Sequence, residues 1–451
     1  MQATITHLLK KETPTRSDIK TILEIAQRCE GLSLDEVAQL LVAPPEMDAP
    51  LFATAREVKE RLYGKRIVLF APLYISNYCT NNCRYCAFRR ENTALVRHRL
   101  STEQIREQTE HLIRMGHKRV LLEAGEDLKM VPMEQVVEAI KTIYAAKVGH
   151  NQIRRVNVNV AATDVDDYRQ LKAALIGTYQ LFQETYHRPT YEYMHPDGPK
   201  SDYFYHLTAM ERALAAGIDD FGIGVLFGLY DYRYELLALI AHADYLRTHY
   251  GVGPHTVSVP RIQSAQGTAF HPPAPVNDDE FKRLVAILRL ALPYTGLILS
   301  TRERPEIRDF LLDVGISQMS AASSTVPGGY GQNQTSDKQF HTHDDRSLDE
   351  CVADIVRHGY VPSFCTGCYR QNRTGSTFMA MVEAGQIRDL CHPNAVLTLA
   401  EYLEDYANPE TRAIAQEIWP ELINAIEHPE IRDATRDGVE RIKAGERDVY
   451  L

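Results

Sequence analysis

The spacing of apolar residues changes once along this chain. Through about residue 60 it is helical, with SDIKTILEIAQRC and SLDEVAQLLVA repeating apolar side chains every three or four residues, the period of a helix with one buried face. A serine leads each stretch, Ser17 or Ser33, with acids in the first turn, which predicts serine N-caps. No reactive constellation is visible there, and the segment reads as a helical lead-in.

From about residue 66 short apolar runs alternate with longer amphipathic stretches. Eight runs read as strands: RIVLFAPLYIS, RVLLEAGE, RVNVNVAA, TYQLFQETY, DFGIGVLFG, HTVSVPRI, GLILSTRE and ISQMSAAS. Stretches such as TEQIREQTEHLIRMG, MEQVVEAIKTIYAA and DEFKRLVAILRLAL read as the helices between them. Alternating β and α units over some 260 residues predict an α/β protein of the TIM type, a (β/α)8 barrel. A doubly wound open sheet is the competing architecture; eight repeats rather than five or six favour the barrel. Several strands end in polar residues, namely Glu126, Glu184, Arg261, Arg302 and Glu303. Barrel chemistry sits at the C-terminal mouth of the strands, so ligand-binding groups are expected there.

Past residue 330 a Gly/Gln/Asn/Ser/Thr-rich passage (PGGYGQNQTSDKQFHTHDD) precedes a helix, SLDECVADIVRHG, and a mainly helical tail. The predicted organisation is an N-terminal helical extension (1–60), the barrel (61–330) and a C-terminal region (331–451) docked on it.

Composition narrows the setting. A net charge of −10 argues against a general nucleic-acid or anionic-membrane surface. The first residues lack the apolar core of a signal peptide, and no run approaches a membrane span, so the cytoplasm is the expected compartment. Clustered cysteines in such a chain point to metal or catalysis rather than disulfides.

Six of the eight cysteines form two groups, Cys79, Cys83 and Cys86 as C-x3-C-x2-C and Cys365, Cys368 and Cys391 as C-x2-C-x22-C. Each offers three thiolates, one fewer than a four-iron cluster needs, and an iron without a protein ligand is free to bind something reactive. Zinc is the competing occupant, completed by His98 at the first group and by His392 or His358 at the second; it usually takes four protein ligands. Isolated Cys29 and Cys351 read as small buried hydrophobes.

The first trio follows the first strand and has Tyr85 before its last cysteine, which resembles the radical S-adenosylmethionine (SAM) superfamily. That resemblance implies a 4Fe–4S cluster on Cys79, Cys83 and Cys86 whose fourth iron binds the amino and carboxylate groups of SAM. EAGE at the end of the second strand resembles the family's GGE motif, with Ala124 in place of its first glycine, and implies that Glu126 contacts the SAM amino group; an ordinary loop acid is the alternative.

QETYHRPTY, SVPRI, LSTRE and SAASSTVPGGY resemble the tyrosine lyases of that superfamily, both 2-iminoacetate synthase of thiamin biosynthesis and the lyase of FeFe-hydrogenase maturation. The likeness implies that Glu184 belongs to the SAM side of the mouth, while Arg302 and Ser323 hold the tyrosine carboxylate, which a guanidinium binds bidentately. Arg302 could equally pair with a barrel acid. CTGCYRQNRTG, carrying Cys365, Cys368, Tyr369, Arg370, Arg373, Thr374 and Gly375, together with distant Cys391, is similar to the C-terminal pattern of the maturation lyases.

It implies a second 4Fe–4S cluster with an additional labile iron, linked through a free cysteine and a protein histidine. His255, opening the sixth strand and so facing the barrel's floor, is favoured over His341 and His343. The implied reaction cleaves the Cα–Cβ bond of L-tyrosine to p-cresol and dehydroglycine, and then turns dehydroglycine into carbon monoxide and cyanide. An electron donor of ferredoxin or flavodoxin type and other hydrogenase maturation proteins are the implied partners. A 2-iminoacetate synthase, which stops at dehydroglycine, is the alternative, and a zinc-binding scaffold without activity is a third. The tyrosines of YHRPTYEYM and SDYFYH are expected either to line the barrel's interior space or to pack.

Overall fold

The structure, a computed structural model, describes residues 2–332 and 337–451. The Asn333–Ser336 part of the Gly/Asn-rich passage lies outside the described residues.

Eight parallel strands close into a barrel: β1 Arg66–Ser76, β2 Arg119–Ala124, β3 Arg155–Asn159, β4 Tyr179–Gln180, β5 Phe221–Gly224, β6 Thr256–Ser258, β7 Gly296–Leu299 and β8 Gln318–Ser320. β8 pairs back onto β1, Val68 to Phe70 lying against Gln318 to Ser320, so the sheet has no open edge at this seam and the doubly wound alternative falls. Each of the eight predicted runs contains one strand, although several strands stop earlier than their apolar run. TYQLFQETY keeps only two residues of regular strand, although Leu181 and Gln183 still donate to Gly222 O and Gly224 O and Glu184 bridges Val225.

A ninth parallel strand, β9 Val361–Ser363, pairs with the first residues of β1, from Arg66 to Val68. The chain beyond residue 331 is thereby joined to the barrel sheet itself. β9 leads directly to Cys365 at the end of the barrel where strands begin.

The N-terminal helices form where the apolar period predicts, with one correction. The helix Arg16–Ala26 is capped by Thr15, not Ser17. Thr15 Oγ1 accepts from Asp18 N at 3.2 Å, and the Asp18 carboxylate accepts from Thr15 N at 2.8 Å. The reciprocal cap needs an acid or amide three residues on; Thr15 has Asp18 there, whereas Ser17 has Lys20. Ser33 caps Leu34–Leu41 as predicted, with Glu36 closing the box. The next helix, Asp48–Tyr63, packs on Asp278–Ala291 and Pro305–Val314 and leads straight into β1. Cys351 is buried as expected, while Cys29 is only half-buried. No helix among the described residues is long and apolar enough to cross a membrane.

A buried ion pair fixes the last barrel turns. Arg308 and Asp344, both nearly inaccessible, meet at 2.9 Å, and Arg346 joins the same carboxylate at 2.7 Å. Arg308 Nη2 also donates to Ser320 O at 2.7 Å, tying the pair to the end of β8. Removing one partner of such a pair strands the other charge in a medium that cannot solvate it. Asp344→Ala is therefore expected to lower the unfolding free energy by about 3–5 kcal/mol, read from urea denaturation in anaerobic buffer.

Candidate active site and a second cysteine centre

Parallel strands put every strand start at one end of the barrel and every strand finish at the other. β1 has 11 residues; at about 3.3 Å per residue it is roughly 33–36 Å long. Tilt in the barrel shortens this to roughly 25–30 Å along the axis. The two cysteine groups sit at these opposite ends, the first after β1 finishes and the second after β9, beside the start of β1.

At the mouth, Cys79, Cys83, Cys86, Glu126, Glu184, Arg302 and Ser323 all line one cavity of about 1550 Å³, counting its open entrance. The cysteine loop is fastened chiefly by Arg97, whose guanidinium donates to Asn77 O at 2.6 Å, Phe88 O at 2.8 Å and Arg89 O at 2.5 Å. Gly125 of EAGE presses on the same loop, so that a Cβ there would lie 2.2 Å from Tyr78 O. Thr80 N donates to Glu126 O at 2.7 Å, closing the loop onto the end of β2.

Burial raises the three thiols, Cys86 to about 11. Free thiols here stay protonated, and binding a metal must displace those protons.

A chain of polar contacts runs around the cavity rim. Glu126 accepts from Asn81 Nδ2, Asn81 Oδ1 accepts from Lys200 N at 2.8 Å, and Lys200 Nζ reaches Glu184 Oε1 at 2.7 Å. Burial raises Glu126, and Asn81 and Lys200 oppose it. Glu184 has left-handed backbone, φ 66°, which a non-glycine residue adopts only where its surroundings hold it. Buried Glu235 holds it, accepting from Tyr186 N at 2.7 Å and from Thr185 Oγ1.

Arg302 lies over Phe340, 3.3 Å from the ring centroid, and among the described residues no acid comes within ion-pair distance of it. The neighbouring arginine behaves differently, since Arg261 is engaged by Glu303 and Asp278. The expectation that Arg261 and Glu303 serve a ligand thus gives way: they neutralise one another beside the cavity. Ser323 Oγ is buried without a hydrogen-bond partner in the described structure. A free guanidinium and an orphaned hydroxyl facing one space fit a carboxylate.

At the floor, Cys365, Cys368 and Cys391 are surrounded by arginines supplied by strand starts. Arg66 opens β1, Arg119 opens β2 and Arg155 opens β3, and Arg373 follows the cysteine pair. The Nε of all four is buried with no hydrogen-bond partner. Arg119 Nη2 donates to Cys365 O at 2.7 Å, and Tyr369 lies under Arg155 at 4.3 Å. A hydrogen bond from Cys368, helped by the Arg66 guanidinium, draws Cys391 toward the thiolate, while Cys368 is pushed up.

His255 shares this end. It stacks on Phe378 at 4.1 Å, with Nδ1 3.4 Å from Asp220. Burial, together with Arg119 and Arg66, lowers its pKa against the pull of Asp220, favouring the neutral form that can ligate a metal. The other candidate histidines are elsewhere or engaged. His341 and His343 lie on the mouth side, where their backbone N–H groups donate to Ser264 O and Thr301 O and the His343 ring meets Gln263, while the His392 ring bonds Leu422 O and the His358 ring folds back on Asp354 O.

Three soft thiols, charged donors and a neutral imidazole fit an anionic iron–sulfur centre. Among the described residues no three Cys, His, Asp or Glu side chains converge on a single-ion geometry; a cluster, whose thiolates sit on separate irons, does not ask for one.

Sequence reasoning missed Lys200, Arg97, Glu123 and the floor arginines. None carries a spacing motif, and only the closed barrel brings them to the sites. The tyrosines of YHRPTYEYM and SDYFYH do not line the mouth cavity; Tyr191 and Tyr203, for example, pack edge to face at 5.0 Å.

Comparison with known proteins agrees with this geometry. The model of the radical SAM superfamily matches residues 73–242, and that of the biotin and thiamin synthesis associated domain matches residues 258–361. The 2-iminoacetate synthase of Salmonella typhimurium is 30% identical over 351 residues, covering 77% of this chain and 90% of that protein. The crystal structure of HydG, a maturase of the [FeFe]-hydrogenase, is 49% identical with a TM-score of 0.96, covering 100% of this chain and 99% of that one. HydG from Carboxydothermus hydrogenoformans is 43% identical, with a TM-score of 0.83 and coverage of 95% and 94%. Radical SAM enzymes use SAM and a 4Fe–4S cluster, and the mouth supplies three thiols and a cavity for them. This chain is a radical SAM enzyme and belongs, within that superfamily, to the HydG maturase family.

Proposed function

We propose that the protein cleaves the Cα–Cβ bond of L-tyrosine to p-cresol and dehydroglycine, and converts dehydroglycine to carbon monoxide and cyanide for assembly of the FeFe-hydrogenase cofactor. The observation that carries this reading is the second cysteine centre. A 2-iminoacetate synthase needs only the mouth, and its match leaves part of this chain uncovered, whereas HydG matches the chain throughout.

In this reading Cys79, Cys83 and Cys86 hold a 4Fe–4S cluster that, with SAM, supplies a 5′-deoxyadenosyl radical. Glu126 and Glu184 orient SAM, linked to one another through Asn81 and Lys200. Arg302 and Ser323 hold the tyrosine carboxylate. The enclosed cavity keeps water from the radical. Cys365, Cys368 and Cys391 hold the second cluster, with His255 and a free cysteine on an additional labile iron. The floor arginines offset the negative charge of that centre. A ferredoxin- or flavodoxin-type donor supplies electrons, and other maturation proteins receive the product.

The separation of the two ends generates two expectations. Cys365→Ser with Cys368→Ser should leave p-cresol formation intact and abolish carbon monoxide, assayed by chromatography and by haemoglobin binding; p-cresol and carbon monoxide both persisting would sink the two-centre reading. Arg302→Lys should raise the KM for tyrosine roughly 10- to 150-fold, the worth of a charge-assisted hydrogen bond at about 1.5–3 kcal/mol, with the SAM affinity unchanged.

A further inference from the structure

One carboxyl in the mouth cavity has no role in the reading above. Glu123 is the next-to-last residue of β2 and stands in register with Tyr74 of β1 on one side and Asn159 of β3 on the other. All three line the cavity, as does Arg302 beyond the end of β7. Among the described residues no cation lies within ion-pair distance of Glu123; Arg302 acts on it from further away. The hydroxyl of Tyr74, which donates to Gln339 Oε1 at 2.7 Å, also acts on it.

Burial raises this carboxyl to about 7, with Tyr74 and Arg302 pulling the other way. Glu123 is half-buried on the cavity wall, and a poorly solvated acid without a cationic partner is unfavourable. Such a group on a cavity wall marks a place where a ligand supplies the missing charge.

An amino acid in water is a zwitterion, with an ammonium one carbon away from its carboxylate. A cavity that offers a guanidinium alone would accept any carboxylate of the right shape. One that offers a guanidinium and a carboxyl together selects an amino acid. We propose that Glu123 receives the α-ammonium group of the amino-acid substrate and takes its proton, so that Arg302 and Glu123 hold the two ends of the zwitterion. This assignment rests on the tyrosine-lyase reading, in which a hydrogen atom is abstracted from that nitrogen.

The step is a proton transfer alone. One N–H bond of the ammonium breaks, an O–H bond forms on Glu123, and the nitrogen keeps the electron pair as a neutral amine. No oxidant or reductant is required. Glu123 is reset when that proton is lost after product release. A carboxyl poised near neutrality suits this task, since it is ionised often enough to accept and basic enough to hold the proton.

The test compares wild-type and Glu123→Gln protein, both anaerobically reconstituted with iron, sulfide and SAM. Calorimetry measures binding of L-tyrosine and of 3-(4-hydroxyphenyl)propanoate, which lacks the amino group. Wild-type protein should favour L-tyrosine at least roughly tenfold, as a charge-assisted hydrogen bond would give. Glu123→Gln should lose that preference and form p-cresol at least about 100-fold more slowly, with the SAM affinity unchanged. Glu123→Asp, which keeps the carboxyl on a shorter arm, should restore the preference, and it decides the matter if the glutamine variant fails to fold.

Unchanged preference and unchanged p-cresol turnover in Glu123→Gln would overturn this assignment alone. Absence of p-cresol from the wild-type protein would overturn the lyase reading and this assignment together.

Discussion

Closure of a parallel sheet is the constraint on which the rest of the molecule depends. When β8 pairs with β1 the strands have no freedom left in direction, and every residue's height in the barrel follows from its place in its own strand. Residues that open strands gather at one end and residues that follow strands gather at the other. Arg66, Arg119 and Arg155 are neighbours because they hold equivalent positions, not because the sequence brings them close. The same rule keeps the two cysteine groups apart.

The architecture was legible because it rests on repetition. Eight apolar runs with amphipathic partners leave little choice but a barrel, and the seam between Val68 and Gln318 agrees with that count. Strand ends were less legible, since a run such as TYQLFQETY goes on bonding to its neighbour beyond its two residues of regular strand. The Thr15 cap was overlooked for a local reason: Ser17 offers an equally good acceptor oxygen to a helix end, and only Asp18 tips the choice. β9 was invisible, because Val361–Ser363 is too short to show a period.

Within the site, legibility followed motif density. Cysteines at fixed spacing, and acids directly after strands, declare themselves. Lys200 and Glu123 do not, one lying in a loop far from the cysteines and the other reading as the inner member of an apolar run. Arg302 and Arg261 look alike from the sequence, each at a strand end near acids. The fold distinguishes them, since Arg261 faces Glu303 and Asp278 while Arg302 faces a ring and an open space.

Arg97 holds the first cysteine loop by neutral acceptors alone, the carbonyls of Asn77, Phe88 and Arg89. An electron arriving at a centre on this loop changes the charge there by one unit. A loop pinned by carboxylates would feel that change in its own fastenings, because each pair would strengthen or weaken with the field. Carbonyl oxygens carry only partial charge, so these bonds respond far less. Unlike the contacts of Asn81 with Glu126 and of Arg90 with Asp197 on the same loop, the Arg97 fastenings would therefore change little with the charge of that centre.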